Sequence, residues 1–334
     1  MAPDNLLTVI WAGIVAFAVF TYVVLDGFDL GIGILFPVLV GHAERGTAMN
    51  SIAPVWDGNE TWLILGGGGL MAAFPRAYSV VMPAIYTPLI AMLLGLVFRG
   101  VAFEFRWRTT GRHYWDFAFA AGSIVAALAQ GIALGAILQG VTVADGAYAG
   151  GWWDWLTPFT LLCGLAILCG YAALGASWLY LKTEGALQAR ARRLALVAGA
   201  GLVLGMAAVS AATPFLDYAY YRRWFAWPNL LWTSLVPVVA ALVTAGYFRA
   251  LRRGRERAPF LLALVLFGLS FVGLAISMYP YIVPPAISIW DAAAPANAQI
   301  FMLVGAAILV PVILAYTAYA YWVFRGKAKA GGYH

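Results

Sequence analysis

Nine stretches of this chain are apolar enough to cross a lipid bilayer as helices. They fall at 6–35, 60–74, 78–104, 115–140, 157–182, 194–214, 229–250, 259–280 and 299–324. A crossing helix needs about 20 mainly apolar residues. A water-soluble globule could not hide so much apolar surface. Of 334 residues, 63% are hydrophobic and 10% are charged, and mean hydropathy is +0.85. An ordinary soluble domain carries roughly 25% charged residues. A soluble enzyme, a disordered chain and a secreted disulfide scaffold are excluded. The expectation is an all-α polytopic membrane bundle of nine helices. With no linker or low-complexity tract, it forms one integral membrane domain over 1–334.

The basic residues set the orientation. With the N-terminus outside, the inner segments hold 17 lysines and arginines and the outer segments hold 3, namely Arg76, Arg222 and Arg223. That split obeys the positive-inside rule and predicts an N-terminus outside and a C-terminus inside. It also accounts for the net charge of +6 without a nucleic-acid partner. The outer loops 141–156 and 283–298 lack lysine and arginine but carry Trp152, Trp153, Trp155 and Trp290, as an interfacial aromatic belt would. The second span is the weakest, because Gly66, Gly67, Gly68 and Gly69 each lower helix propensity. The same glycines would let a neighbouring helix approach closely.

Acids in or beside apolar spans are the informative residues. An ionisable side chain near the bilayer centre costs about 2.5–3.5 kcal/mol on insertion scales. Asp26 and Asp29 are three apart and share a helix face. They lie roughly 30 Å along the helix from Asn5, near the inner side. Asp57 and Glu60 open the second span, where Asp57 or Asn59 could instead cap the helix. Glu104 ends the third span, five residues after Arg99. That spacing suits no helical pair, so Arg99 is expected to partner an acid on another helix. The topology brings Asp26, Asp29, Asp57, Glu60 and Glu104 to the inner side of the first three spans. Such a cluster could conduct protons. The bland alternative is interfacial ion pairing and snorkelling.

Some chemistry is missing. His42, His113 and His334 all fall in inner loops or the tail, whereas a transmembrane haem usually needs an axial His or Met inside a bundle. The glycine run lacks the Lys-Ser/Thr of a phosphate loop. Cys163 and Cys169 are six apart in one helix, nearly on opposite faces, so no disulfide between them is expected.

Four blocks carry a resemblance: Asp26-Gly-Phe-Asp29-Leu-Gly, Asn50-Ser-Ile-Ala-Pro-Val-Trp56-Asp57-Gly-Asn59, Tyr279-Pro-Tyr-Ile-Val-Pro-Pro and Val310-Pro-Val-Ile-Leu-Ala-Tyr. In order and spacing they resemble subunit II of cytochrome bd-type quinol oxidases, from the first span to the last. The resemblance implies a bacterial inner-membrane complex that oxidises quinol and reduces dioxygen to water. A partner subunit I would hold two b-type haems and one d-type haem, with none ligated by this chain. It implies a proton-delivery role for Asp57 and Glu104, with Asp26 and Asp29 as the family's paired acids. Glu60 stands where other members carry an uncharged residue. Some members hold a structural quinone in this subunit, and some bind a small accessory membrane subunit. The short segment 215–228 is similar to the cyanide-insensitive branch. A secondary transporter with a glycine-broken second helix is the alternative.

Overall fold

The computed structural model describes residues 3–328; Met1, Ala2, Lys329 and His334 lie outside the described residues. Helix α1 (Pro3–Leu35) is followed by a 3-10 turn and a short surface helix, α2 (Gly41–Asn50). Then come α3 (Trp56–Ala73), α4 (Pro75–Ala84), α5 (Tyr86–Phe105), α6 (Arg112–Leu138), α7 (Pro158–Lys182) and α8 (Gly185–Ala212). Short α9 (Tyr218–Phe225) and α10 (Asn229–Thr233) lead to α11 (Leu235–Arg252), α12 (Ala258–Met278) and α13 (Ala296–Val323). The loops expected outside contain two antiparallel hairpins: β1 (Val143–Ala144) with β2 (Ala147–Tyr148), and β3 (Tyr281–Val283) with β4 (Ile287–Ser288).

Eight helices among the described residues are long and apolar enough to cross a membrane. Helix α3 falls short on apolarity, since its 18 residues include Asp57, Glu60 and four glycines. It nevertheless runs between the same two ends of the bundle. Its first turn meets the C-terminal end of α5 through Glu60 and Arg99. At its other end, the Ala73 carbonyl accepts from the Ala294 amide beside the start of α13 (2.9 Å). Eighteen helical residues rise about 27 Å, close to the hydrocarbon thickness.

The structure corrects the sequence reading in three places. The expected single span 78–104 is two helices, α4 and α5, separated at Ile85. Pro83 lies inside α4 and Pro88 early in α5. Each proline removes a backbone donor and weakens continuous helix. Helix α4 packs against the hairpins and adds an outer cap rather than span length. Second, α3 is continuous through Gly66–Gly69, so the broken helix that motivated the transporter alternative is absent. A Cβ at Gly66 or Gly69 would stand 3.1 Å from Val19 or Val15 of α1, whereas Gly67 and Gly68 face open space. Third, neither Asp57 nor Asn59 caps α3: Val55 holds the cap position and no side chain bonds there.

Helix α1 is the centre of the bundle. It packs on α3, α6 and α7, while α5 packs on α6 and α7 on α8. Two glycine contacts set the spacing. A Cβ at Gly31 would overlap the Tyr171 carbonyl of α7, and one at Gly175 would stand 2.5 Å from the Gly31 carbonyl carbon. On α5 and α6, Gly95 and Gly122 face one another's carbonyls in the same way. Small residues at such crossings bring backbones together. The opposite extreme is α13, where only Gln299 is fully buried within this chain.

After α13 a short tail is tied down. Lys182 Nζ donates to the Phe324 carbonyl (2.5 Å), and Lys327 Nζ donates to the Thr183 carbonyl (3.1 Å) and pairs with Glu256 (2.7 Å). The hydrogen bond from Lys327 holds the Glu256 carboxyl below its usual range, helped by one from Gln188. A lowered carboxylate favours the folded state above its unfolded pKa. That contribution fades as pH falls through the folded value. It is small, because the pair is exposed.

The close approaches generate a prediction. Gly31→Ala destabilises the bundle by about 1–3 kcal/mol through overpacking. Gly67→Ala is neutral or stabilising by up to about 1 kcal/mol through helix propensity. The thermal midpoints of the two purified variants give the comparison, and equal midpoints would contradict the α1–α7 contact.

Candidate functional site

Arg99 lies near the C-terminal end of α5 with 0% of its side chain exposed. Its Nη1 donates to Asp26 Oδ1 of α1 at 2.6 Å. Its Nη2 lies 2.9 Å from Glu60 Oε1 of α3 as an ion pair, off the line of a hydrogen bond. The Trp56 ring covers the guanidinium, with Cζ 5.8 Å from the ring centroid, and Trp56 itself stacks on Phe103. One guanidinium therefore joins three helices. In this dry setting a fork of fixed donors suits two carboxylates better than an ammonium would.

A hydrogen-bonded branch starts one turn further along α1. Asp29 Oδ2 accepts from Asn59 Nδ2 of α3 (2.7 Å), and Asn59 Oδ1 accepts from the Tyr321 hydroxyl of α13 (3.0 Å). Asp29 and Asn59 are both fully or almost fully buried. A second branch leads toward α6 and α7. The Tyr171 hydroxyl donates to Gln130 Oε1 (2.6 Å), whose Nε2 donates to the Tyr22 hydroxyl (2.8 Å). Tyr22 precedes Asp26 by four residues and shares its helix face. Asp26 Oδ2, Asp29 Oδ1 and Arg99 Nε have no hydrogen-bond partner among the described residues.

The five acids named from the sequence separate into two sets. Asp26, Asp29 and Glu60 converge as expected, through Arg99 and Asn59. Asp57 and Glu104 do not join them; both are exposed on this chain. Glu60 stands between, with 25% of its side chain exposed against 1% for Asp26. It is also one helical turn from Asp57 and on the same face. The arrangement is therefore graded: a solvent-facing acid, a half-buried acid, then a buried pair.

Sequence reasoning placed Arg99 against an acid on another helix, and it has two. It missed Asn59 as a connector, and also Tyr22, Gln130, Tyr171 and Tyr321. Gln130 had a readable signal, being a polar amide within a long apolar run. Nothing local in the sequence marks the tyrosines. A separate inner cluster was also missed. Asp116 of α6 holds Arg106 (2.5 Å) and Arg45 (3.0 Å), with His42 Nδ1 at 3.6 Å. Arg45 and Arg106 had been counted only as topology markers. Among the described residues no group of three or more His, Cys, Asp or Glu is placed to hold a metal ion. His42 and His113 are exposed, in α2 and at the start of α6.

These observations define a multi-pass helical membrane protein built around a buried guanidinium–carboxylate node. The family profile described as cytochrome bd terminal oxidase subunit II matches residues 7–324, and the chain belongs to that family. Among relatives, a "Probable cytochrome oxidase subunit 2" of Haemophilus influenzae is 32% identical over 99% of this chain and 97% of its own length. The "Cytochrome bd-I ubiquinol oxidase subunit 2" of Escherichia coli K12 is 31% identical over 98% and 96%. The "Cytochrome bd ubiquinol oxidase subunit 2" of Bacillus subtilis is 28% identical over 96% of each. A chain of the bd oxidase from Geobacillus thermodenitrificans shares the fold, with a TM-score of 0.76 over 96% of this chain and 99% of that one at 18% identity. The chain is accordingly a multi-pass protein of a bacterial inner membrane.

Breaking the node has a predicted cost. Arg99→Gln strands Asp26 and Glu60 without their cation, which destabilises by about 3–5 kcal/mol. The yield and thermal midpoint of the purified complex measure it. Asp26→Asn placed on top of Arg99→Gln should recover part of the loss, and a double variant no better than the single would contradict the pairing.

Proposed function

We propose that this chain is the haem-free second subunit of a quinol-oxidising, oxygen-reducing bd-type complex, and that it delivers protons from the inner side of the membrane. The supporting observation is the set Glu60, Asp26 and Asp29 gathered at Arg99 and Asn59, with exposed Asp57 one helical turn from Glu60. In this reading nine helices cross the membrane as a single domain, with the N-terminus outside and α3 as the least apolar crossing. Asp57 and Glu104 face the inner side or the partner, and Glu60 passes protons between Asp57 and the buried pair.

Each residue has a definite task. Arg99 lowers the cost of keeping carboxylates away from water. Its held position also gathers Asp26 and Glu60 at the two ends of one guanidinium. Asn59 orients Asp29 from one side and is itself oriented by Tyr321. The buried oxygens Asp26 Oδ2 and Asp29 Oδ1 make no hydrogen bond among the described residues, which leaves each able to accept a relayed proton. The Tyr22–Gln130–Tyr171 chain anchors the node to α6 and α7.

In this reading no haem ligand is assigned to this chain: its two described histidines are exposed, whereas an axial histidine should face the bundle interior. The complex would therefore rely on a partner subunit I for two b-type haems and one d-type haem, and for the quinol. A structural quinone and a small accessory subunit belong to the same reading, and no residue here is assigned to either. The transporter alternative loses its motive with the continuous α3.

Glu60→Gln and Asp57→Asn should each slow oxygen consumption about tenfold, equivalent to 1.4 kcal/mol on the limiting barrier. Both should leave the haem spectrum of the complex intact. Normal turnover together with normal proton uptake in both variants would refute the proton role.

A further inference from the structure

Between α8 and α11 the chain forms a plate whose two sides differ in chemistry. The side toward the bundle is pinned. The Tyr220 hydroxyl donates to the Leu138 carbonyl at the end of α6 (2.8 Å). Arg223 Nη1 donates to the Ser277 carbonyl (2.5 Å) at the end of α12, and Trp224 Nε1 donates to Ser277 Oγ (2.9 Å). The other side is open. Tyr218, Tyr221 and Phe225 form a ladder with ring centroids 6.1 and 5.2 Å apart. Trp227 and Trp232 are each 74% exposed.

Beside this aromatic side lies a cavity of about 360 Å³ lined by Arg222, Arg223, Trp227, Pro228 and Asn229 among others. No acid pairs with either guanidinium among the described residues. The nearest acid in sequence, Asp217, is occupied as the N-cap of α9, accepting from the Ala219 amide (2.7 Å). Arg223 is fixed by one nitrogen to α12 carbonyls, and Arg222 is exposed beside it. Two of the three cations on the expected outer side thus sit in one cavity, against the charge bias of the whole chain. The helix dipole accounts for a cation at the end of α9, but not for two forming a cavity wall with Trp227 and Asn229.

We infer that this cavity binds the phosphodiester headgroup of an anionic phospholipid, with phosphatidylglycerol as the probe. Arg222 and the remaining N–H groups of Arg223 hold the phosphate oxygens, since guanidinium forks match that geometry. Asn229 offers an amide to the glycerol hydroxyls. Tyr218, Tyr221 and Phe225 lie at the depth where aromatic rings favour the interface, alongside the acyl chains. The inference rests on the membrane reading above. That reading places the site in the outer leaflet, but the binding chemistry does not depend on the leaflet.

The test uses the whole oxidase complex in phosphatidylcholine nanodiscs doped with phosphatidylglycerol, with retained lipids counted by native mass spectrometry after release. Arg222→Gln should cut retention of one phosphatidylglycerol about tenfold, a 1.4 kcal/mol loss. Arg222→Lys should restore most of it, and retention of phosphatidylcholine should not change. The haem spectrum and thermal midpoint report whether the variants fold. Undiminished phosphatidylglycerol retention in Arg222→Gln overturns the inference. So does displacement of the lipid by millimolar inorganic phosphate, which would mark a site for free anions. A protein segment seated on Arg222 in the complex would also overturn it. A preparation without a haem-bearing partner would defeat the oxidase reading and leave the lipid count readable.

Discussion

A guanidinium removed from water must be matched by negative charge or the structure around it does not form. Arg99 has no exposure at all, and its match comes from Asp26 on α1 and Glu60 on α3. That requirement fixes the relative register of three helices. It also explains why α3 can be so poor in apolar residues and still occupy the bundle: its first turn is held by charge, and its body lies on α1 through Gly66 and Gly69. An ion pair of this kind need not add net stability over an apolar core. Its value lies in specifying one arrangement, and losing either partner is costly.

Close backbone spacing surrounds the polar node. The two helices that carry Asp26 and Arg99 are seated on their neighbours with almost no gap, α1 on α7 at Gly31 and Gly175, and α5 on α6 at Gly95 and Gly122. Tyr171 shows the linkage. Its carbonyl blocks any side chain at Gly31, while its hydroxyl feeds the Gln130–Tyr22 chain. Packing and polar connectivity are therefore set by the same contact.

Most of the architecture was legible in the sequence, because the bilayer imposes a length and polarity on each crossing that few other folds share. The break at Ile85 was not, because Pro83 and Pro88 sit in an apolar run whose hydropathy looks continuous. In the site, the convergence of Asp26, Asp29 and Glu60 followed from topology, since adjacent antiparallel spans bring neighbouring ends together. The exclusion of Asp57 and Glu104 did not follow, because it depends on which way each helix is rotated. Asp57 lies two residues from buried Asn59 and faces away from it. Rotation is set by packing partners such as Trp56 on Phe103, which periodicity alone does not reveal.

In the proposed function the node is a graded entry from the inner surface into a dry interior, with Glu60, a quarter exposed, as the group that touches both. Redox-triggered infrared difference spectroscopy of the intact complex reads this most directly, because protonation of a buried carboxyl has its own C=O stretching band. The account predicts a carboxyl signal on turnover that is lost or shifted in Glu60→Gln and in Asp29→Asn. A carboxyl spectrum identical in the parent complex and both variants would contradict it.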